Sequence, residues 1–265
     1  MAKSTKRTSA RLRFGANLRL LREKRGLSQE ALADAAAANG QQPGMAFRER
    51  CAALARDAEA RSALAVAGRD GWLYLAAELR HLGAGRFWGA EAARASRASD
   101  PDWADPLPAI ADFHDQLTER GVRLLVVPVP PKAVIYPEGL PDGEGAPGGA
   151  PAGRLDADLQ SFYGQLRFKG IQVLDLTPVF LKHRARPGGA LYCRQDSHWS
   201  GTACALAASE IGMELFATFD GRPRQAFTGD WEQVEIAGDL WTSLDEPRPE
   251  RERLRLRRVR AEWSG

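Results

Sequence analysis

The sequence predicts an α/β fold, a parallel sheet flanked by helices in three layers, and three observations carry that expectation. Residues 122–129, Val-Arg-Leu-Leu-Val-Val-Pro-Val, make a near-continuous apolar run directly after Gly121, the pattern of a strand buried on both faces. Ile171-Gln-Val-Leu-Asp-Leu176 reads as a second such strand. Helical stretches at 106–120, 155–168 and 200–216 alternate with them, as in a doubly wound sheet.

Each element has its own local reason. The 106–120 helix opens on Pro106, whose missing N–H costs nothing in a first turn. Residues 137–153 are too rich in Gly and Pro for regular structure, and the 200–216 helix is Ala-rich on the side that would face a sheet. Gly68-Arg-Asp-Gly-Trp72-Leu-Tyr74 reads as a turn followed by an aromatic-apolar strand. Near the end of the chain, Leu254 and Leu256 alternate with Arg253, Arg255 and Arg257, which predicts a further strand.

Upstream of residue 66 the texture is helical. Residues 12–37 read as two helices, with Leu12, Leu18, Leu21 and Leu32 on one stripe, Gly26 ending the first and Ser28 capping the second. Gly40-Gln-Gln-Pro43-Gly44 breaks this pattern, and a stretch from Ala46 to Ala65, rich in Ala, Arg and Glu, reads as a connector. The expected organisation is a basic helical hairpin at 1–40, a helical connector at 41–65 and the main domain at 66–265.

Ordinary apolar and charged fractions, 44% and 27%, exclude a collagen-like or wholly disordered chain. The net charge of +3 hides an uneven distribution. Residues 1–27 hold nine Lys or Arg against Glu23, a balance of +8, and residues 248–260 hold seven Arg against Glu250 and Glu252, a balance of +5; the remainder therefore sums to −10. A basic start is not followed by an apolar signal-peptide core, and the longest apolar run, 124–131, is far short of the ~20 residues a membrane span needs. As written the chain is expected to carry no export signal.

The chemistry-bearing residues centre on Asp196-Ser-His198-Trp199. Serine-based acyl transfer needs an imidazole base and a carboxylate to hold it, and Asp196-x-His198 supplies both on a loop between a Gly-rich turn and a helix. The competing reading is structural: Asp196 or Ser200 caps the following helix and Trp199 joins the core. Lys132 and Tyr136 follow the 122–129 strand; they read either as substrate contacts or as a solvated loop cation and a ring packed beside Pro137. Trp72 and Trp88 are read as core. A metal site from Cys193, Asp196, His198 and Cys204 is not expected, because C-x2-D-x-H-x5-C matches no common zinc spacing, and the three cysteines form no disulfide framework. No cofactor is expected.

Four blocks in order carry a family resemblance. Gly68-Arg-Asp-Gly-Trp-Leu-Tyr74, Val127-Pro-Val-Pro-Pro-Lys132-Ala-Val-Ile-Tyr136-Pro-Glu138, Asp196-Ser-His-Trp-Ser-Gly201 and Gly238-Asp-Leu240 are similar to motifs of the SGNH hydrolase-like domain of the alginate O-acetyltransferases, the AlgX/AlgJ family. The resemblance spans residues 66–245. It implies a three-layer SGNH/flavodoxin-like parallel sheet and O-acetylation of an exopolysaccharide such as alginate. It also implies Asp196 as the residue orienting the imidazole, His198 as general base, an acetyl donor supplied by a membrane acyltransferase, and a periplasmic or cell-envelope setting; the missing export signal leaves a cytoplasmic setting as the alternative.

In that family a nucleophilic serine follows the Asp-x-His pair in a Gly-Asp-Ser or Gly-Thr-Ser turn, and neither turn occurs here. Ser243 is the one serine near a matching block, and it is not preceded by a buried strand. The expectation is a domain truncated before its nucleophile, with its sheet incomplete at the C-terminus and sheet edges left unpaired. Residues 14–33 also resemble the opening of an Xre-type helix-turn-helix without its recognition helix. The alternative function is therefore a DNA-binding regulator carrying a degenerate SGNH domain, with phosphate contacts through residues 3–30.

Overall fold

The structure is a computed structural model that describes residues 41–141, 153–185, 189–215, 227–245 and 247–261. The expected helical hairpin at 1–40, and with it the helix-turn-helix resemblance, lies outside the described residues.

The first described helix, α1 (Gln41–Ala60), places Phe47, Cys51, Ala55 and Ala58 on one buried face at helical spacing. It packs against α2 (Ala76–Ala84), where a Cβ on Gly83 would sit 2.6 Å from the Ala52 Cα; only glycine allows that approach. Segment 41–65, expected as a connector, is therefore part of the main core. Its small apolar residues hid the stripe.

Strands β1 (Ala65–Ala67) and β2 (Leu73–Leu75) form an antiparallel hairpin around the Gly68-Arg-Asp-Gly71 turn, where Asp70 and Gly71 both have positive φ. After the short α3 (Ala92–Ala95), α4 (Pro106–Glu119) begins as expected on Pro106, with the Asp105 carboxylate accepting the Leu107 N–H at 2.9 Å.

The parallel sheet is much shorter than the apolar runs imply. β3 (Leu125–Val126) pairs in parallel with β4 (Gln172–Val173), and among the described residues this is the whole parallel component. Pro128, Pro130 and Pro131 lack the N–H a ladder needs, and Val122 and Val129 are exposed rather than buried. β4 stops where Asp175 turns its carboxylate to the Thr177 N–H at 3.0 Å and to Arg154. The mixed α/β class holds.

The remaining elements are α5 (Lys132–Ile135), α6 (Ala157–Phe168), α7 (Thr177–His183), α8 (Gly201–Leu215), β5 (Phe227–Ile236), α9 (Asp239–Thr242) and β6 (Glu252–Ala261). The strand expected around Leu254 is β6, and β5, which the sequence reading missed, is its antiparallel partner over ten residues. Tyr74, Tyr136, Tyr192, Phe180 and Leu79 centre the main core; Trp88, Phe162 and Leu166 form a second cluster beside β3 and β4. Trp72 and Trp88 are both core, as expected. Among the described residues, no helix is long and apolar enough to cross a membrane.

Candidate active site

The loop between residues 192 and 199 is closed at its base by a bridge between Tyr192 and Trp199 and by the Cys193 N–H donating to the His198 carbonyl at 3.2 Å. Tyr192 is buried and Trp199 packs on Phe180 at 5.9 Å, so the loop's base is anchored in the core while its tip faces outward. Ser200, not Asp196, serves the following helix: its Oγ accepts the Ala203 N–H and donates to the Ala190 carbonyl at 2.6 Å.

At the tip, Asp196 Oδ1 accepts the His198 backbone N–H at 2.9 Å and sits 2.7 Å from His198 Nδ1. The aspartate therefore folds its own loop and orients the ring in one stroke. With Nδ1 as the donor, Nε2 carries the lone pair, and among the described residues nothing bonds to it. The His198 side chain is 76% exposed.

Asp196 is clamped from the other side by the start of α9. Its Oδ2 accepts the Asp239 N–H at 3.0 Å; Asp239 Oδ1 accepts the Ser197 N–H at 2.7 Å, and the Ser197 hydroxyl donates to Asp239 Oδ2. This contact depends on glycine, because a Cβ on Gly238 would lie 2.2 Å from the Gln195 carbonyl oxygen. Leu240, fully buried beside Ala65 and Leu73, holds α9 in place. Asp239 and Ser197 were missed as site residues, although Gly238-Asp-Leu240 was visible as a block.

Opposing effects set the carboxylate's ionisation. Partial burial pushes the Asp196 pKa up, but the N–H groups of His198 and Asp239 and the imidazole together hold it below the usual range. For His198 the hydrogen bond to Asp196 dominates over a small burial effect, with further attraction from Asp196 and Asp239, and raises its pKa.

Lys132 and Tyr136, expected as cleft-edge contacts or as loop residues, are interior, 2% and 3% exposed. The Lys132 ammonium donates to the carbonyls of Leu73 at 2.6 Å, Arg194 at 2.9 Å and Asp196 at 3.1 Å. The backbone N–H groups of Lys132 and Ala133 donate to the Glu78 carboxylate. Burial lowers the Lys132 pKa to about 8 against the attraction of Glu78. Tyr136 donates its hydroxyl to the Arg184 carbonyl at 3.1 Å, accepts the Leu191 N–H at 2.8 Å and packs on Trp72. One ammonium thus joins the Gly68–Tyr74, Val127–Glu138 and Asp196–Gly201 blocks.

Ser243 Oγ donates to the Leu240 carbonyl at 2.8 Å, turned back on its own helix. The Cys193, Asp196, His198, Cys204 set is not assembled. The metal-type donors that do converge, among the described residues, are those of Asp196, His198 and Asp239, within 4.8 Å of one another, and hydrogen bonds already engage both carboxylates.

A mixed α/β chain with an Asp-x-His loop held against α9 is the arrangement that the resemblance to an SGNH hydrolase-like domain implies. Residues 65–263 match the family model described as SGNH hydrolase-like domain, acetyltransferase AlgX, and the chain belongs to that family. It is 30% identical over 182 residues to a probable alginate O-acetylase AlgJ of Pseudomonas syringae pv. tomato, covering 68% of this chain and 41% of that protein. The AlgJ of Pseudomonas aeruginosa, also described as a probable alginate O-acetylase, is 28% identical over 204 residues, covering 74% and 46%. The O-acetyltransferase domain of Pseudomonas putida AlgJ superposes with a TM-score of 0.56 at 25% identity, over 74% of this chain and 65% of that one. Pseudomonas aeruginosa AlgX shares the fold, with a TM-score of 0.53 at 18% identity over 76% of this chain and 44% of that one. The chain spans less than half the length of these curated relatives.

Proposed function

We propose that Asp196 and His198 are the orienting acid and the general base of an O-acetyltransferase site that acts on hydroxyls of an exopolysaccharide such as alginate. The observation that carries this reading is the 2.7 Å contact between Asp196 Oδ1 and His198 Nδ1, which leaves Nε2 facing outward from a loop held in register by α9. Membership of the AlgX family and similarity to proteins described as alginate O-acetylases support the chemistry.

In this reading His198 Nε2 takes the proton of an attacking hydroxyl as that oxygen bonds to the acetyl carbonyl carbon. It returns the proton to the leaving oxygen when the tetrahedral adduct collapses. Asp196 stabilises the imidazolium that forms between the two steps. No serine of this chain is assigned as nucleophile. The acetyl group comes from a donor delivered by a membrane acyltransferase, and the setting is the periplasm or cell envelope.

The test supplies the chain with an activated acetyl ester and a uronate oligosaccharide and counts transferred acetyl groups by proton NMR. Transfer by the unmodified chain should exceed that of His198→Ala by about 10²–10⁴-fold. Equal transfer by the two overturns the reading.

A further inference from the structure

We infer that the outer face of the β5–β6 ribbon is a docking track for an anionic polysaccharide, leading to the loop that carries Asp196 and His198. This rests on the proposed acceptor being a sugar hydroxyl and adds where, and by what charge, the polymer is held.

Directly opposed residues of an antiparallel pair share one face. The register pairs Trp231 with Arg257, Gln233 with Arg255 and Glu235 with Arg253, and all six are exposed. The opposite face, with Val234, Leu254 and Leu256, is half-buried, and Leu256 reaches towards Gly201 at the start of α8. The ribbon therefore has a half-buried side, where Val234, Leu254 and Leu256 sit among ion-paired residues such as Glu232 and Arg258, and an exposed side on which three arginines stand against one acid.

That acid is spent at one end: Glu235 lies 3.8 Å from both Arg251 and Arg253. Arg255 and Arg257 have no carboxylate partner among the described residues, and the Arg255 guanidinium lies over the Trp231 ring at 5.4 Å. On one strand, side chains two apart on a face are spaced by about 7 Å, so the guanidinium groups form a row rather than a cluster. A row of forked donors beside an indole face suits a chain of carboxylated pyranose rings, each offering a carboxylate to arginine and an apolar C–H face to tryptophan.

The base of the ribbon is fastened to the candidate active site. Gln195, next to Asp196, donates its N–H to the Glu252 carboxylate at 3.1 Å and its side-chain amide to the Glu250 carbonyl at 2.6 Å; its side-chain oxygen accepts the Glu252 N–H at 3.0 Å. A hollow of about 710 Å³ at this junction has Arg194, Arg251, Arg253 and Arg255 in its wall, together with Asp70, Glu250 and Glu252. At the same end, the guanidinium groups of Arg248 and Arg251 lie 4.9 and 5.0 Å from the centre of the Trp241 ring of α9.

The experiment measures binding of the full chain to a uronate oligosaccharide, a neutral glucan of equal length and a short DNA duplex, in about 50 and 200 mM salt. The uronate should bind in preference to both others and weaken at the higher salt. The double substitution Arg255→Ser and Arg257→Ser, on exposed positions that leave Leu254 and Leu256 in place, should cost about tenfold or more in uronate affinity. Arg61→Ser, away from the ribbon, should cost nothing measurable. Unchanged affinity in the double variant, equal binding of the neutral glucan, or tighter binding of DNA than of uronate each overturns the track. Uronate binding by the unmodified chain without any acetyl transfer leaves the track standing and removes the proposed activity.

Discussion

Two charged centres lie within one hydrogen-bonded loop of each other and live under opposite physics. Lys132 is buried, its ammonium satisfied by three backbone carbonyls, and burial is the leading influence on its pKa. His198 is mostly exposed, and the leading influence on its pKa is the single hydrogen bond its ring donates to Asp196. The same loop connects them, because the Asp196 carbonyl faces Lys132 while the Asp196 carboxylate faces His198. A cation that ties carbonyls together inside the protein builds the site; an imidazole held at its surface is available for proton transfer.

The contrast is open to direct attack. The largest expected effect is on chemistry: His198→Ala should lower acetyl transfer by about 10²–10⁴-fold yet leave the free energy of unfolding in urea within about 0.5 kcal/mol of the parent, as exposed substitutions do. Lys132→Met should do the reverse in order of cause. It strands three carbonyls and removes the buried cation that attracts the Glu78 carboxylate, and should lower stability by about 3–5 kcal/mol, read from denaturant unfolding, with activity falling as a result. If Lys132→Met unfolds no more easily than His198→Ala, the division between building and acting groups is wrong.

A smaller effect is expected at Gly238, where a methyl group collides with the Gln195 carbonyl. Gly238→Ala should cost about 1–3 kcal/mol and broaden the NMR signals of residues 195–198, because α9 can no longer close on the loop. Unperturbed signals there would show that Asp239 does not clamp Asp196 in solution.

The last prediction concerns pH. The His198 pKa is raised, so its ring should titrate above the ordinary histidine value of 6.5, and Asp196→Asn should move the midpoint down. The neutral base is then present only above that raised midpoint, which places the acid limb of acetyl transfer above the ordinary value. The linkage follows in sign. Stability from the raised His198 is present at low pH and lost as pH rises through its folded pKa, whereas that from the depressed Asp196 is lost as pH falls through its own. A ring that titrates at or below the ordinary value in the unmodified chain would mean that the Asp196 contact is not formed.

Much of this was legible in the residues. Pro106 marks the start of α4, the alternation of arginine and leucine marks β6, and the Asp196-x-His198 block is close enough in sequence for its geometry to be local. Such features depend on neighbours a few residues apart, and short-range patterning reports them faithfully. The apolar runs at 122–129 and 171–176 predict longer strands than form, because apolar content signals burial without specifying how many backbone N–H groups find a partner.

Residue types and spacing by themselves determined the α/β class, and the resemblance carried by four ordered blocks implied the family and the two residues at the centre of the candidate site. Only the tertiary structure decided that Lys132 points inward, that the 41–60 helix belongs to the core, that β5 pairs with β6, and that Asp239 closes on Asp196. Each of those facts joins residues that lie far apart along the chain. A lysine's sequence neighbours do not reveal whether carbonyls from 59, 62 and 64 positions away will converge on its ammonium, and that convergence separates a buried tie from a solvated loop cation.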